Sequence, residues 1–295
     1  LTQVVSSQLS VVHRLQDADE GVFTTASNFG NGGGTSPTLV ETGFDTEWTY
    51  SDELSDEEIR KVGSKLRDSH VLLAKAGSLV FNTSVVDSMT ALIDWLINPT
   101  KSKVFLFSHS VSGTTRYRLM KGCVPSRVRI SIPNRGLIKI DATIIVFQPQ
   151  AEADSNGLTG TPVLDTTGLS GTPWKHSSGG LNSFTYNSTT YKERGIEIEV
   201  SHEYTILDSS DSDVVLWATP TIKKVSGTAN LFKKDILISA DAFALTDRAA
   251  SRVLKSATKT LTFTDLNFFN HATPIKRGSS DATIEALPFT ADDLS

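Results

Sequence analysis

Apolar positions along this chain alternate more often than they recur at helical spacing. Ile196, Ile198 and Val200 alternate with Glu197, Glu199 and Ser201. That period of two marks a strand with one dry and one wet face. The alternation recurs over 128–132 and 137–147, with Pro133-Asn134-Arg135-Gly136 as a turn between them. Residues 127–147 are therefore predicted to form a β-hairpin. Further strands are predicted at 71–81, 104–107, 117–120, 214–217, 228–232 and 261–263. Three segments read as helices. Residues 87–98 place Met89, Ile93, Leu96 and Ile97 on one face behind Val86, and Asn98-Pro99 stops them. Residues 51–66 start acidic, with Ser55 and Glu58 at capping-box spacing. Residues 241–254 carry Leu245, Ala249 and Val253 at spacing four.

Composition shifts divide the chain. Residues 1–50 are rich in Gly, Ser and Thr, and an arm over 1–37 closes on the turn cluster Gly32-Gly33-Gly34 and Ser36-Pro37. A first unit spans 38–149 and a second 184–295. Residues 150–183 between them have little apolar periodicity and read as a linker or long excursion. The two units share an order of segments. Ala76-Gly77-Ser78-Leu79-Val80-Phe81, a helix and the strand 103–107 form one block. Gly227-Thr228-Ala229-Asn230-Leu231-Phe232, a helix and the strand 260–263 form the other. They are either a tandem duplication or two β–α–β units of similar wording.

The 295 residues are 38% hydrophobic, enough for a sizeable core. Net charge is −5, which argues against a dedicated nucleic-acid binder. No apolar run reaches the roughly 18 residues of a membrane-spanning helix, so no membrane partner is expected. Catalytic chemistry is not legible. None of the six histidines has a second His, Cys or carboxylate at metal-ligand spacing. The single Cys123 reads as a buried small hydrophobe. Gly32-Gly33-Gly34 lacks the Lys-Ser/Thr of a phosphate loop. No catalytic residue, metal or cofactor is expected, and the chain does not read as an enzyme.

Charge is unevenly distributed. Nine basic residues and no acidic one fall between Trp95 and Ile140, among them Arg116, Arg118, Arg127, Arg129, Arg135 and Lys139. Six acidic residues and no Lys or Arg fall between Gly195 and Ile222: Glu197, Glu199, Glu203, Asp208, Asp211 and Asp213. Arg116/Arg118, Arg127/Arg129 and Glu197/Glu199 each project from one face of a strand. Such runs are either solvated faces or complementary charge, between subunits or between a protein wall and a polyanion.

The order of segments resembles the tail tube (major tail) proteins of long-tailed phages and tailed archaeal viruses. The resemblance covers most of the chain from about Ser36. It rests on the run from Arg116-Tyr117-Arg118 through Lys121-Gly122-Cys123-Val124-Pro125 to Ser131-Ile132, in which a Gly-Cys turn leads into an alternating strand. The return strand 136–147, Lys224-Val225-Ser226-Gly227-Thr228-Ala229 and Ser36-Pro37-Thr38-Leu39-Val40-Glu41 extend it. The second block lacks a clear copy of the Gly-Cys turn, and 148–183 has no counterpart.

The resemblance implies a mainly β fold, a tail-tube-type β-sandwich with a flanking short helix in each unit. Strands of each unit would contribute to an inner β-barrel shared by the ring. The implied partners are further copies of the chain, as trimeric (pseudo-sixfold) or hexameric stacked rings, with tail terminator, baseplate or tip, and tape measure proteins. Genomic DNA would pass through the lumen without specific binding. The implied location is the virion tail, assembled in the host cytoplasm. On this reading the acidic residues face the lumen or a neighbour, and the basic residues face a neighbour. The alternative is a carbohydrate- or surface-binding β-sandwich, such as an adhesin or a virion decoration protein.

Overall fold

The computed structural model describes residues 11–15, 21–22, 38–41, 44–59, 69–111, 114–151, 153–155, 163–164, 171–176, 183–207, 217–232, 237–255, 258–269 and 284–295. They are mainly β. The first half holds β1 (Val11–Leu15), β2 (Gly21–Val22), β3 (Thr38–Glu41), β4 (Phe44–Ile59) and β5 (Ser69–Ser84). A 3-10 turn (Asp87–Met89) and α1 (Thr90–Ile97) follow, then β6 (Lys101–Val111), β7 (Thr114–Ile132), β8 (Lys139–Pro149) and β9 (Val163–Leu164). The second half holds β10 (Ser183–Tyr186), β11 (Thr189–Leu207), β12 (Trp217–Phe232), α2 (Leu237–Ala244), β13 (Arg248–Lys255), β14 (Lys259–Phe268), β15 (Ile284–Ala291) and β16 (Asp293–Leu294).

The strands β10-β11-β12-β15-β14-β13 close into a six-stranded antiparallel barrel, because β10 pairs with both β11 and β13. Closure removes the free edges from the paired part of those six strands. Aromatic rings fill it. Phe263 and Phe289 meet edge-on at 5.5 Å, and Phe184 packs against Phe263 and Phe268, an arrangement the ring quadrupoles favour.

The first half uses the same order of pairing, β4-β5-β8-β7-β6, where the second has β11-β12-β15-β14-β13. It does not close. β6 takes β1 on its other edge, β1 takes β3, and β3 takes β9. Among the described strands β4 pairs with β5 alone. The two leading hairpins also agree in detail. β5 and β12 are each 16 residues long, and nine residues (60–68 and 208–216) precede each. Both hairpins run in register for nine residues, 47–55 and 195–203, between two irregularities.

Several sequence expectations are met. The hairpin 127–147 and the alternating strand at 196–201 are present, and the first helix lies where its apolar face predicts. Others are corrected. Residues 51–59 belong to β4, not a helix: pairing with β5 overrides the capping-box wording. Residues 60–66 of that expected helix lie outside the described residues. The segments 117–120 and 128–132 are one strand, β7. The second helix ends at Ala244, where Leu245 turns to φ 52°. Beyond it Ala250, Arg252 and Leu254 are buried alternately, which is a strand period. The counterpart of β6 is therefore β13, and the strand 260–263 belongs to β14, the counterpart of β7.

The expected linker is in part a packed strap. Trp174 is fully buried, and its Nε1 donates to Asp87 Oδ1 at 2.7 Å. Its backbone N–H donates to the Val85 carbonyl, and its carbonyl accepts from Ile138.

Candidate assembly interface

The two charge runs meet where β7 joins β11. Ile196–Ser201 pairs antiparallel with Arg127–Ile132. This seam unites the two halves into the strand order β4-β5-β8-β7-β11-β12-β15-β14. The alternation divides its two sides: Val128, Ile130, Ile132, Ile196, Ile198 and Val200 are buried, while Arg127, Arg129 and Glu197 are exposed and Glu199 is half-buried. On the polar side Arg127 Nη2 donates to Glu199 Oε2, and Arg129 Nη2 to Glu197 Oε2, each at 2.5 Å. These carboxylates hold both guanidinium pKa values above their ordinary range, with Asp141 adding to the effect. Further along, Lys224 Nζ lies 2.5 Å from Glu203 Oε1.

Three acidic residues of β11 therefore face three basic ones within the same chain. The acidic run of the sequence becomes a charge-compensated surface where the structure describes it. Asp208, Asp211 and Asp213 lie outside the described residues. Of the other basic residues, Arg116 pairs with Asp154. The guanidinium of Arg118 stands 4.8 Å over the Tyr50 ring, a cation–π geometry. Arg135 and Lys139 are exposed.

A second contact between the halves involves α1. His202, buried on β11, places Nε2 3.0 Å from the Leu96 carbonyl. Burial lowers its pKa, and Lys223 lowers it further against the opposing effect of the Leu96 carbonyl. Lys223, directly opposite His202 on β12, bonds to Asn98, Asp293 and the Leu294 carbonyl. Asn98 donates to the Leu294 carbonyl at 3.0 Å, and Lys259 pairs with Asp94 at 2.7 Å.

The strap makes a third. Lys255 of β13 joins Trp174 on Asp87, and both lower the Asp87 pKa, Lys255 more strongly. Two residues on, His176 Nε2 lies 3.2 Å from Glu193 Oε1. Arg252 Nε donates to that oxygen at 2.6 Å, and all three side chains are buried. Sequence reasoning missed this set. Its one local signal is an aromatic residue, Trp174, inside a run of Gly, Ser and Thr.

Among the described residues no group of three or more His, Cys, Asp or Glu could hold a metal ion. No helix there is long and apolar enough to cross a membrane. Cys123 is buried, and burial raises its thiol pKa well above the ordinary value. No family model matches the chain, and no curated protein matches it.

Proposed function

We propose that this chain is a structural virion protein, the repeating subunit of a viral tail tube whose stacked rings conduct genomic DNA. The observation that carries the reading is the correspondence of the two halves, in pairing order, hairpin length and placement of irregularities. We read it as a tandem duplication of a tube domain. Three chains would then supply six domains to each ring.

The internal seam supplies the pattern for closing the ring. Among the described strands β11 is paired on both edges, with β12 and β7, whereas β4 is paired on one. A 16-residue strand with an open edge invites pairing with another chain. A following copy would complete β4 as β7 completes β11, giving an inner barrel shared by the ring. The compensated polar surface suits passage of a polyanion: its guanidinium groups are engaged by carboxylates, so little free cation remains to hold phosphates in a salt-dependent grip. Tail terminator, tip and tape measure proteins are the partners this reading carries.

Negative-stain microscopy of the purified full chain tests it. Rings of three chains with a sixfold outline, stacking into tubes with an open lumen, are the expected result. A strict monomer at high concentration would overturn it.

A further inference from the structure

We propose that the cavity beside the open edge of β4 is the seat for a side chain of a second copy of this chain, carried on the strand that joins β4. Trp48 and Tyr50 of β4, Leu79 of β5, Phe107 and His109 of β6 and Arg118 of β7 line it, and it holds about 250 Å3. The rings that wall it are held back. Tyr50 lies against Gly77, where a Cβ would come within 2.6 Å of the Tyr50 hydroxyl, and the Arg118 guanidinium stands over the same ring. The Trp48 ring packs on Phe81 at 4.6 Å. Rings fixed by these neighbours leave the space open, and an unfilled apolar void forfeits contacts on its walls.

The second half indicates what fills it. In the nine-residue register, Trp48, Thr49, Tyr50 and Ser51 stand where β11 has Ile196, Glu197, Ile198 and Glu199. On β11 the joining strand β7 brings Val128, Ile130 and Ile132 to the dry side, and Ile196 and Ile198 are buried there. Trp48 and Tyr50 are half-buried. The gap between β11 and β13 is bridged by β10, which buries Phe184 and Tyr186. Among the described strands none bridges β4 and β6. β3 precedes β4 as β10 precedes β11, but it pairs with β1 and β9. The strand that would fill this half from within its own chain is thus engaged elsewhere, while the edge that corresponds to the β7-paired edge of β11 is open. The wet side differs as well. Thr49 and Ser51, both exposed, replace the two glutamates, so at these two places β4 offers a joining strand no ion pair, and apolar insertion supplies the attraction. A side chain that fills a preformed, dry pocket is the kind of contact that dominates an interface.

The inference rests on the tube reading in taking a second copy as partner, and its test separates the two. Cys123 is buried, so the thiol introduced by His109→Cys is the reactive one. It should react with N-phenylmaleimide in the free folded subunit, and about tenfold or more slowly once the protein is assembled. Subunits labelled after folding should unfold no earlier than unlabelled ones and should need about tenfold or more higher concentration to assemble. In the wild-type chain, acrylamide quenching of Trp48 emission, taken as the difference from Trp48→Phe, should fall on assembly. Rings or tubes that leave the thiol and Trp48 open to reagent, and that form from labelled subunits at the unlabelled threshold, would overturn the seat and leave the tube reading standing. Protection in oligomers that never form rings would uphold the seat and overturn the tube reading. Protection in a species that light scattering shows to be a monomer would mean that the same chain or a bound small molecule covers the cavity, and would overturn the seat.

Discussion

Glu193 and Arg252 sit in the wall of the second barrel with almost no exposed surface, and the carbonyl of His176 accepts from the same guanidinium. A buried ion pair adds little over a well-packed apolar pair, but removing one member strands the other charge. Glu193→Gln should cost about 3–5 kcal/mol in urea unfolding. A double change of Glu193 and Arg252 to Leu should recover most of that loss. His202 gives a pH test. Its folded pKa lies below the ordinary 6.5, so the unfolded chain binds the proton more readily. Its stabilising effect is complete above the unfolded value and is lost as pH falls toward the folded one. As pH falls from above the ordinary 6.5 through the lower folded value, wild type should therefore lose more stability than His202→Gln. Equal slopes would mean that the ring is solvated.

At the scale of strands, register decides which side chains meet. Gly227 lies where β12 crosses beneath Phe289, and a Cβ there would overlap the Phe289 ring and the Glu197 carbonyl. Gly227→Ala should destabilise by about 2–4 kcal/mol, as overpacking in a closed site does, and a thermal melt would show it. The seam makes a finer test. Each exposed Arg–Glu pair contributes only about 0–1 kcal/mol, but like charges placed across strands repel. Reversing both Glu197 and Glu199 to Lys should lower stability by about 1–2 kcal/mol, and adding Arg127→Glu and Arg129→Glu should restore it. Unchanged urea midpoints in all three chains would mean that the pairs are solvent-screened. The strand at 196–201 is legible in sequence because one side is dry and the other wet. The meeting of Arg127 with Glu199 is not, because it depends on a register set 72 residues away along the chain. Residues 51–59 mislead for a related reason. Their acidic and hydroxyl residues copy a helix start, while the partner strand that makes them β lies beyond the next nine residues. In 241–254, spacing four picks out Leu245 and Ala249, which are exposed, while the buried set alternates.

At the scale of the whole molecule the two halves are not equally self-sufficient. The second closes on its own hydrogen bonds, while the first, among the described strands, is an open sheet leaning on the seam, on α1's grip and on the strap. Trp174 is where the strap acts on both: its indole and backbone hold Asp87, Val85 and Ile138 of the first half, and Asp87 in turn holds Lys255 of the second. Removing the ring by Trp174→Ala leaves a cavity in a site with 0% exposure, a loss of about 3–5 kcal/mol. That loss falls on the first half and on its coupling to the barrel rather than on the barrel's own pairing. Calorimetry of the variant should therefore resolve an early transition, reported by quenching or shift of Trp48 and Trp95 fluorescence, ahead of a later one that retains most β-sheet circular dichroism. Asp87→Asn should act in the same direction more weakly. Because Lys255 and Trp174 lower the Asp87 pKa, that carboxylate's contribution is present above its ordinary value of 3.8 and vanishes as pH falls through the lower folded value. The stability difference between wild type and Asp87→Asn should accordingly shrink in acid. A single transition in Trp174→Ala, merely shifted to lower temperature, would mean that the seam alone makes the halves one cooperative unit.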